Sequence, residues 1–317
     1  MRPTGKLHLG HLTGALENWV ALQHDYQNFH LIADYHVLTT NLDTSGIYQN
    51  SIDMLIDWLA AGIDPEHSPM FRQSQIKEHT ELHLLFSMLI TSARLERNPT
   101  VKEQVRDLNI ESVSYGHLGY PVLQAADILL YKGEVVPVGE DQLPHIEITR
   151  EIARRFNAQY KPVFPEPEGK ITTFARLPGL DGKRMSKSLG NAILLSDSPD
   201  EIRKKISKAV TDPLKIRRND PGHPEVCLIF HSYHNKFNPG EIPQIERDCR
   251  VGTLGCVDCK RNAACNIINY LEPMREKRAH YESHPKEVKD VLLDGENRAR
   301  DVAEKTMAEA HDAMGIG

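Results

Sequence analysis

The sequence predicts an α/β fold: a doubly wound parallel sheet followed by an α-helical domain. Three observations carry that prediction. Short apolar runs at residues 29–33, 70–72 and 134–138 alternate with helical patterns, the arrangement from which parallel sheets are built. A glycine turn, His8-Leu9-Gly10-His11, runs straight into an amphipathic helix carrying Leu12, Leu16, Trp19, Val20 and Leu22, as in Rossmann-like nucleotide-binding folds. From Ser198, a capping box with Pro199 in the first turn opens a helix, and the tail keeps helical periodicity. Residues 1–195 are therefore expected to form the Rossmann-like domain, with a polar, mixed-charge insertion at about 94–116, and residues 196–317 the helical one.

At 317 residues and 40 % hydrophobic content, the chain can bury a sizeable core in two domains. Its formal net charge of −6 excludes a generally basic nucleic-acid binder, so RNA contacts must come from local patches. No apolar run approaches the roughly 20 residues of a membrane span, and no signal peptide is expected. Five cysteines, four of them clustered late, do not read as a secreted disulfide scaffold. A reducing cytoplasm with a metal site fits better.

The chain begins abruptly. Met1-Arg2-Pro3-Thr4-Gly5 enters the glycine turn directly, whereas such a turn normally leaves the end of a central parallel strand. The N-terminal strand is expected to be missing, or its slot to be filled by another segment. Strand 29–33 leads into Asp34-Tyr35-His36, where His36 either faces a ligand or caps the next turn. A helix with Ile52, Leu55, Ile56 and Leu59 closes at Gly62; Met70-Phe71-Arg72 is a second strand, and residues 82–90 are a buried helix. The run from Tyr120 to Tyr131 is apolar on nearly every face, so its helix is buried, yet it carries Asp127. A buried carboxylate is costly without donors. It is either a structural ion pair or cap, or the acceptor for a ligand's donor.

Strand 134–138 runs into Gly139-Glu140-Asp141-Gln142, polar groups suited to ribose or an amino acid, and a helix follows through His145, Ile148 and Ile152. Residues 180–191 then pack three cations, two hydroxyls and two glycines into one loop. Such a loop presents donors to an anion, a polyphosphate above all, or is simply solvated surface. Arg203, Lys204, Lys205 and Lys208, with Lys215, Arg217 and Arg218, form an RNA-facing patch or a solvated face. The tail from Val288 to Met314 is expected to be a helical hairpin broken at Gly295.

His8-Leu9-Gly10-His11 and Arg184-Met185-Ser186-Lys187-Ser188 together resemble the HIGH and KMSKS signatures of class I aminoacyl-tRNA synthetases. Their separation resembles the short tyrosyl/tryptophanyl branch. Arg184 stands where that signature usually has Lys; the charge is kept, but a planar fork is not an ammonium. Gln124-Ala125-Ala126-Asp127-Ile128-Leu129 and Val136-Pro137-Val138-Gly139-Glu140-Asp141-Gln142 resemble tryptophanyl enzymes, whereas tyrosyl ones carry a Gly-Gly-x-x-Gln type turn at the second place. The likeness runs over nearly the whole chain.

That resemblance implies that Asp127 accepts an indole N–H, a donor with no acceptor capacity, with Tyr120, Val136, Val138, Gln142 and His36 around the amino acid. It implies ATP contacts from Arg2, Pro3, Thr4, Gly10, His11, Gly139, Glu140, Asp141, Leu177, Arg184, Met185, Ser186, Lys187 and Ser188. His8, His11, Arg184, Lys187 and Ser188 would be catalytic. The implied reaction is activation of L-tryptophan with Mg-ATP, then transfer to tRNA(Trp), in a cytoplasmic homodimer with the insertion at its interface. A tyrosyl enzyme, another nucleotidyltransferase and a non-catalytic RNA-binding paralogue are the alternatives.

Cys227, Cys249, Cys256 and Cys259 form C-x21-C-x6-C-x2-C, and four thiolates make a closed metal site. Spacing alone does not choose between Zn2+ and a [4Fe–4S] cluster. Some tryptophanyl enzymes carry a C-terminal Fe–S motif, which Pro224-Glu225-Val226-Cys227 and Gly255-Cys256-Val257-Asp258-Cys259-Lys260 resemble, and the resemblance implies a structural [4Fe–4S] cluster. Cys265 is expected to be a small buried hydrophobe.

Overall fold

The computed structural model describes all residues except 108, 109, 172–176, 188 and 317. Among the described residues, four short strands form two parallel pairs. His30–Ile32 (β1) pairs with Met70–Arg72 (β2), and Val135–Val138 (β3) with Glu168–Ile171 (β4). The expected parallel α/β arrangement is thus present as two ladders, with β1 and β3 lining one cleft between them. Strand β4 escapes a pattern search because Glu168, Gly169, Lys170 and Ile171 show no apolar alternation. Met1 runs alongside β1: its ammonium donates to Leu31 O (2.6 Å), and Ala33 N–H donates to Met1 O (2.8 Å).

Helices cover these ladders. The glycine turn opens a helical run through Leu9–His11, Leu12–Leu16 and Glu17–Leu22 (α1). Ile47–Ala61 (α2) ends at Gly62, whose φ of 105° is the left-handed cap that glycine adopts without penalty. Glu78–Ser87 (α3) starts one turn earlier than its apolar residues indicate, which carries His79 into the interior. Tyr115–Leu129 (α4) is capped by Ser114 Oγ, which accepts the His117 N–H (3.1 Å), and buries Tyr120, Val122, Ala125, Ala126 and Leu129. Leu143–Gln159 (α5) follows β3, and Pro199–Ser207 (α6) begins with the expected capping box between Ser198 and Glu201. Among the described residues no helix is long and apolar enough to cross a membrane.

Two long helices close the chain, Cys256–Ser283 (α7) and Pro285–Met314 (α8), and they meet at His284. The break expected at Gly295 is not there, because α8 runs through it. Gly295 is needed for contact instead: a Cβ there would lie 2.1 Å from Met70 O on β2. The proline at 285 makes the corner.

One apolar core joins the turn and loop (Leu7, Leu9, Met185, Ile193) to Trp58 on α2 and to Ile267 and Leu271 on α7. The other packs Phe86, Val122, Ile152 and Phe156 under Ala299 and Ala303 of α8. Each large side chain fully buried in this way contributes roughly 1.5–3 kcal/mol. A polar pin crosses the first core: buried Asp57 on α2 accepts Leu7 N–H (3.2 Å) and pairs with buried Arg278 on α7. Gly295→Ala tests the closeness of α8 to β2. Although alanine gains up to about 1 kcal/mol in helix propensity, the clash with backbone should leave a net loss of about 1–3 kcal/mol, read from urea unfolding midpoints.

Candidate active site

Two pieces of backbone nearly two hundred residues apart build the site. Leu9 N–H donates to Ile193 O (2.9 Å) and Leu195 N–H to Leu7 O (3.0 Å), with His8 opposite Leu194. This ladder sets the glycine turn against the cationic loop. Gly10 N–H meets Met185 Sδ at 3.4 Å, and a Cβ on Gly10 would press on the His8 ring at 3.1 Å. Lys187 Nζ donates to Thr4 O (2.7 Å), beside Gly5, whose φ of 105° turns the chain sharply.

Asn191 holds the loop in shape. Its Oδ1 accepts Ser186 N–H (2.8 Å), and its Nδ2 donates to Asp181 Oδ1 (2.7 Å) and Arg184 O (3.1 Å). Sequence reading treated Asn191 only as the end of the loop, since an asparagine after a glycine carries no signal beyond a turn. Ser188 lies outside the described residues. Leu177 and Met185 are buried with Leu9 in the first core.

The rings of His8 and His11 stack with centroids 3.7 Å apart. His11 Nδ1 accepts the His8 backbone N–H (3.2 Å), so the neutral His11 ring carries its proton on Nε2. Burial first, then the cations Lys187 and Arg184, lower His8 to about 4. Burial, then His8 and the same cations, lower His11 to about 3. Both rings are neutral near pH 7 and offer N–H donors without adding charge.

Beside this phosphate-type corner lies a cleft of about 850 Å³ between β1 and β3. Of the expected residues, Arg2, His36, Tyr120, Asp127, Val136, Gln142 and Arg184 line it. Pro3 is buried and Thr4 exposed outside it. Val138, Gly139, Glu140 and Asp141 lie beyond it at the C-terminal end of β3, where Asp141 O accepts the Thr100 hydroxyl (2.9 Å). Tyr120 Oη and His145 Nε2 are 2.9 Å apart, and burial pushes the tyrosine up and His145 down to about 4.

Asp127 is the buried anion of the cleft. His36 Nε2 lies 2.9 Å from its Oδ2, while Gln73 Nε2 (2.7 Å) and His79 Nδ1 (2.8 Å) reach its Oδ1. Burial alone would raise its pKa; the hydrogen bonds and charge of His36 and His79 outweigh that and hold it well below the usual carboxylate range. The carboxyl is therefore ionised throughout the working pH range. Sequence reading reached Asp127 and His36 but not Gln73 or His79, which carry no motif.

The four late thiols come together as well. Cys256 and Cys259 occupy the first turn of α7. Cys227 is buried at the edge of the first core. Gly222 leaves the space: a Cβ there would lie 2.4 Å from Cys249 Sγ. Burial, then the other three thiols, pushes Cys259 up to about 12. His234 Nε2 stands 3.3 Å from Cys259 Sγ. Cys265, expected to be buried, is exposed on α7 and takes no part.

Comparison with known families bears directly on this geometry. The family of class I tRNA synthetases for tryptophan and tyrosine matches residues 1–272. The chain belongs to that family. A tryptophan–tRNA ligase from Thermotoga maritima is 50 % identical over all of this chain and 98 % of its own length. One from Aquifex aeolicus is 43 % identical, again over the whole chain and 98 % of its own length. Among solved structures, the tryptophanyl-tRNA synthetase of Campylobacter jejuni complexed with ADP and tryptophan superposes with a TM-score of 0.90. It is 34 % identical and covers 99 % of this chain and 98 % of its own. The fold is thus the class I synthetase fold, α/β with parallel strands and a helical C-terminal part.

The depressed histidines make a stability prediction. A histidine held neutral contributes stability above its unfolded pKa of about 6.5, and loses it as pH falls toward the folded value. For His8 the loss runs from about pH 6.5 down to about pH 4. Urea midpoints of the wild type should fall faster across that window than those of His8→Gln; equal slopes would contradict the assignment.

Proposed function

We propose that the chain is a tryptophan–tRNA ligase that activates L-tryptophan with Mg-ATP and then esterifies tRNA(Trp). The observation that carries this reading is Asp127: an ionised, buried acceptor facing a cleft that also holds Arg184 of the cationic loop. An indole N–H needs such an acceptor. Relatives named tryptophan–tRNA ligase, 37–50 % identical over the full length, support it.

The reaction needs no protein nucleophile. A tryptophan carboxylate oxygen attacks the α-phosphorus, the bond to the bridging oxygen breaks, and pyrophosphate leaves with its magnesium. A terminal ribose hydroxyl of tRNA then attacks the acyl carbon, AMP departs, and the hydroxyl proton is released. Catalysis is positioning and stabilisation of phosphate charge. His8 and His11 would donate from neutral rings, His11 through Nε2–H, at the start of α1. Lys187, Arg184 and Ser188 would close on the leaving pyrophosphate, with Ser186 and Met185 beside the nucleotide. Arg2, Pro3, Thr4, Gly10, Leu177, Gly139, Glu140 and Asp141 would complete the ATP site. Tyr120, Val136, Val138, Gln142 and His36 would shape the amino-acid pocket.

Residues 1–195 would serve as the catalytic domain and residues 196–317 would bind the tRNA, in a cytoplasmic homodimer. Exchange of labelled pyrophosphate into ATP tests the reading. Tryptophan should support it and tyrosine should not. Lys187→Ala should lower kcat by roughly 10²–10³ while tryptophan affinity changes little. Exchange with tyrosine alone, or with neither amino acid, would overturn the assignment.

Cys227, Cys249, Cys256 and Cys259 would hold a [4Fe–4S] cluster that ties α7 to the segment before it and takes no part in the reaction. The support for a cluster is the resemblance of the segments around Cys227 and Cys256–Cys259 to the Fe–S motif; four thiolates are equally the ligand set of a tetrahedral Zn2+. Protein purified without oxygen should contain about four irons per chain and absorb in the blue; stoichiometric zinc without iron would rule the cluster out.

A further inference from the structure

Asp127 can read an indole only if its free lone pair points one way, and the structure assigns the task of aiming it to His79. This inference deepens the reading of Asp127 as the indole acceptor and rests on it. A carboxylate has about four acceptor positions. Among the described residues, Oδ1 accepts Gln73 Nε2–H at 2.7 Å and lies in close polar contact with His79 Nδ1 at 2.8 Å, whereas Oδ2 has only His36 Nε2, at 2.9 Å. One position remains, on Oδ2, the oxygen beside cleft-lining His36.

His79 is itself aimed from behind. It is fully buried, and its Nε2 lies 2.9 Å from Tyr131 Oη. Nδ1 faces a carboxylate and so carries a proton, and Nε2 shares its hydrogen bond with the tyrosine hydroxyl. Tyr131 is locked in turn, stacked on Phe29 with centroids 4.6 Å apart and tilted against Phe71 at 5.1 Å. The chain Tyr131–His79–Asp127 runs from the aromatic wall to the anion. It stops the carboxylate from rotating Oδ1 toward the cleft. His79 touches no substrate, so it is a positioning residue whose effect is on choice of amino acid. A merely structural histidine would not discriminate between the two substrates of the enzyme.

Steady-state exchange kinetics with tryptophan, 1-methyltryptophan (which lacks the indole N–H) and ATP test this. His79→Leu should raise the tryptophan KM by roughly 10–100-fold, the worth of a hydrogen bond to a charged group. It should leave the KM for ATP nearly unchanged and shrink the preference for tryptophan over 1-methyltryptophan. His79→Asn, whose amide N–H replaces the Nδ1 donor, should recover most of that preference, and Tyr131→Phe should lose part of it. If His79→Leu does not fold, the asparagine and phenylalanine variants decide the matter: an unchanged preference in Tyr131→Phe overturns the proposal. So does an equal rise in both KM values, or an asparagine variant no better than the leucine one. Asp127→Asn separates the two levels: if it too leaves the preference intact, the indole-acceptor reading fails, whereas loss there with no effect at His79 or Tyr131 sinks only the positioning role.

Discussion

Two backbone hydrogen bonds, Leu9 to Ile193 and Leu195 to Leu7, decide where everything else in the site can be. They bind the start of the chain to the segment just after the cationic loop. Without them the histidine turn and the loop would be two surface features. With them, Gly10 lies against Met185, Lys187 reaches Thr4, and Asn191 keeps the loop folded over the turn. Glycine at 10 answers to space rather than to backbone conformation, because a Cβ there would crowd the His8 ring at 3.1 Å.

Around this hinge of backbone, charge is sorted by burial. The cations sit on the loop, the histidines are kept neutral by their own desolvation and by those cations, and Asp127, its side chain 9 % exposed at the cleft, is held ionised by groups from three separate elements. A polyphosphate at the turn would therefore meet positive charge and neutral donors, and an indole in the adjoining cleft, which Arg184 also lines, would meet negative charge. The low dielectric of such sites strengthens both interactions.

Most of the architecture was legible. Strands at 29–33, 70–72 and 134–138, the closure of α2 at Gly62 and the capping box at Ser198 follow from local pattern alone, because each depends on neighbours in sequence. The features that escaped depend on contacts made across the fold. Strand β4 is polar and exists because β3 offers an edge. Gly295 reads as a helix breaker, yet it lies within a helix where β2 comes too near for a side chain. Cys265 resembles the other late cysteines in composition but faces solvent. Likewise Asp127 stood out as a charge in an apolar helix, while His79, Gln73 and Asn191 matter only through their partners.

The pin formed by Asp57, Arg278 and the Leu7 amide has a consequence for how this chain tolerates change. Removing one member of such a buried pair strands the other, at a cost of roughly 3–5 kcal/mol. Here the acid is also the anchor of the backbone just before His8. Positions 57 and 278 are therefore coupled: a single replacement at either strands its partner, and only a joint replacement that still satisfies the Leu7 amide avoids that cost. Helix α7, remote from the chemistry in sequence, thus inherits the stringency of the turn it helps to fasten.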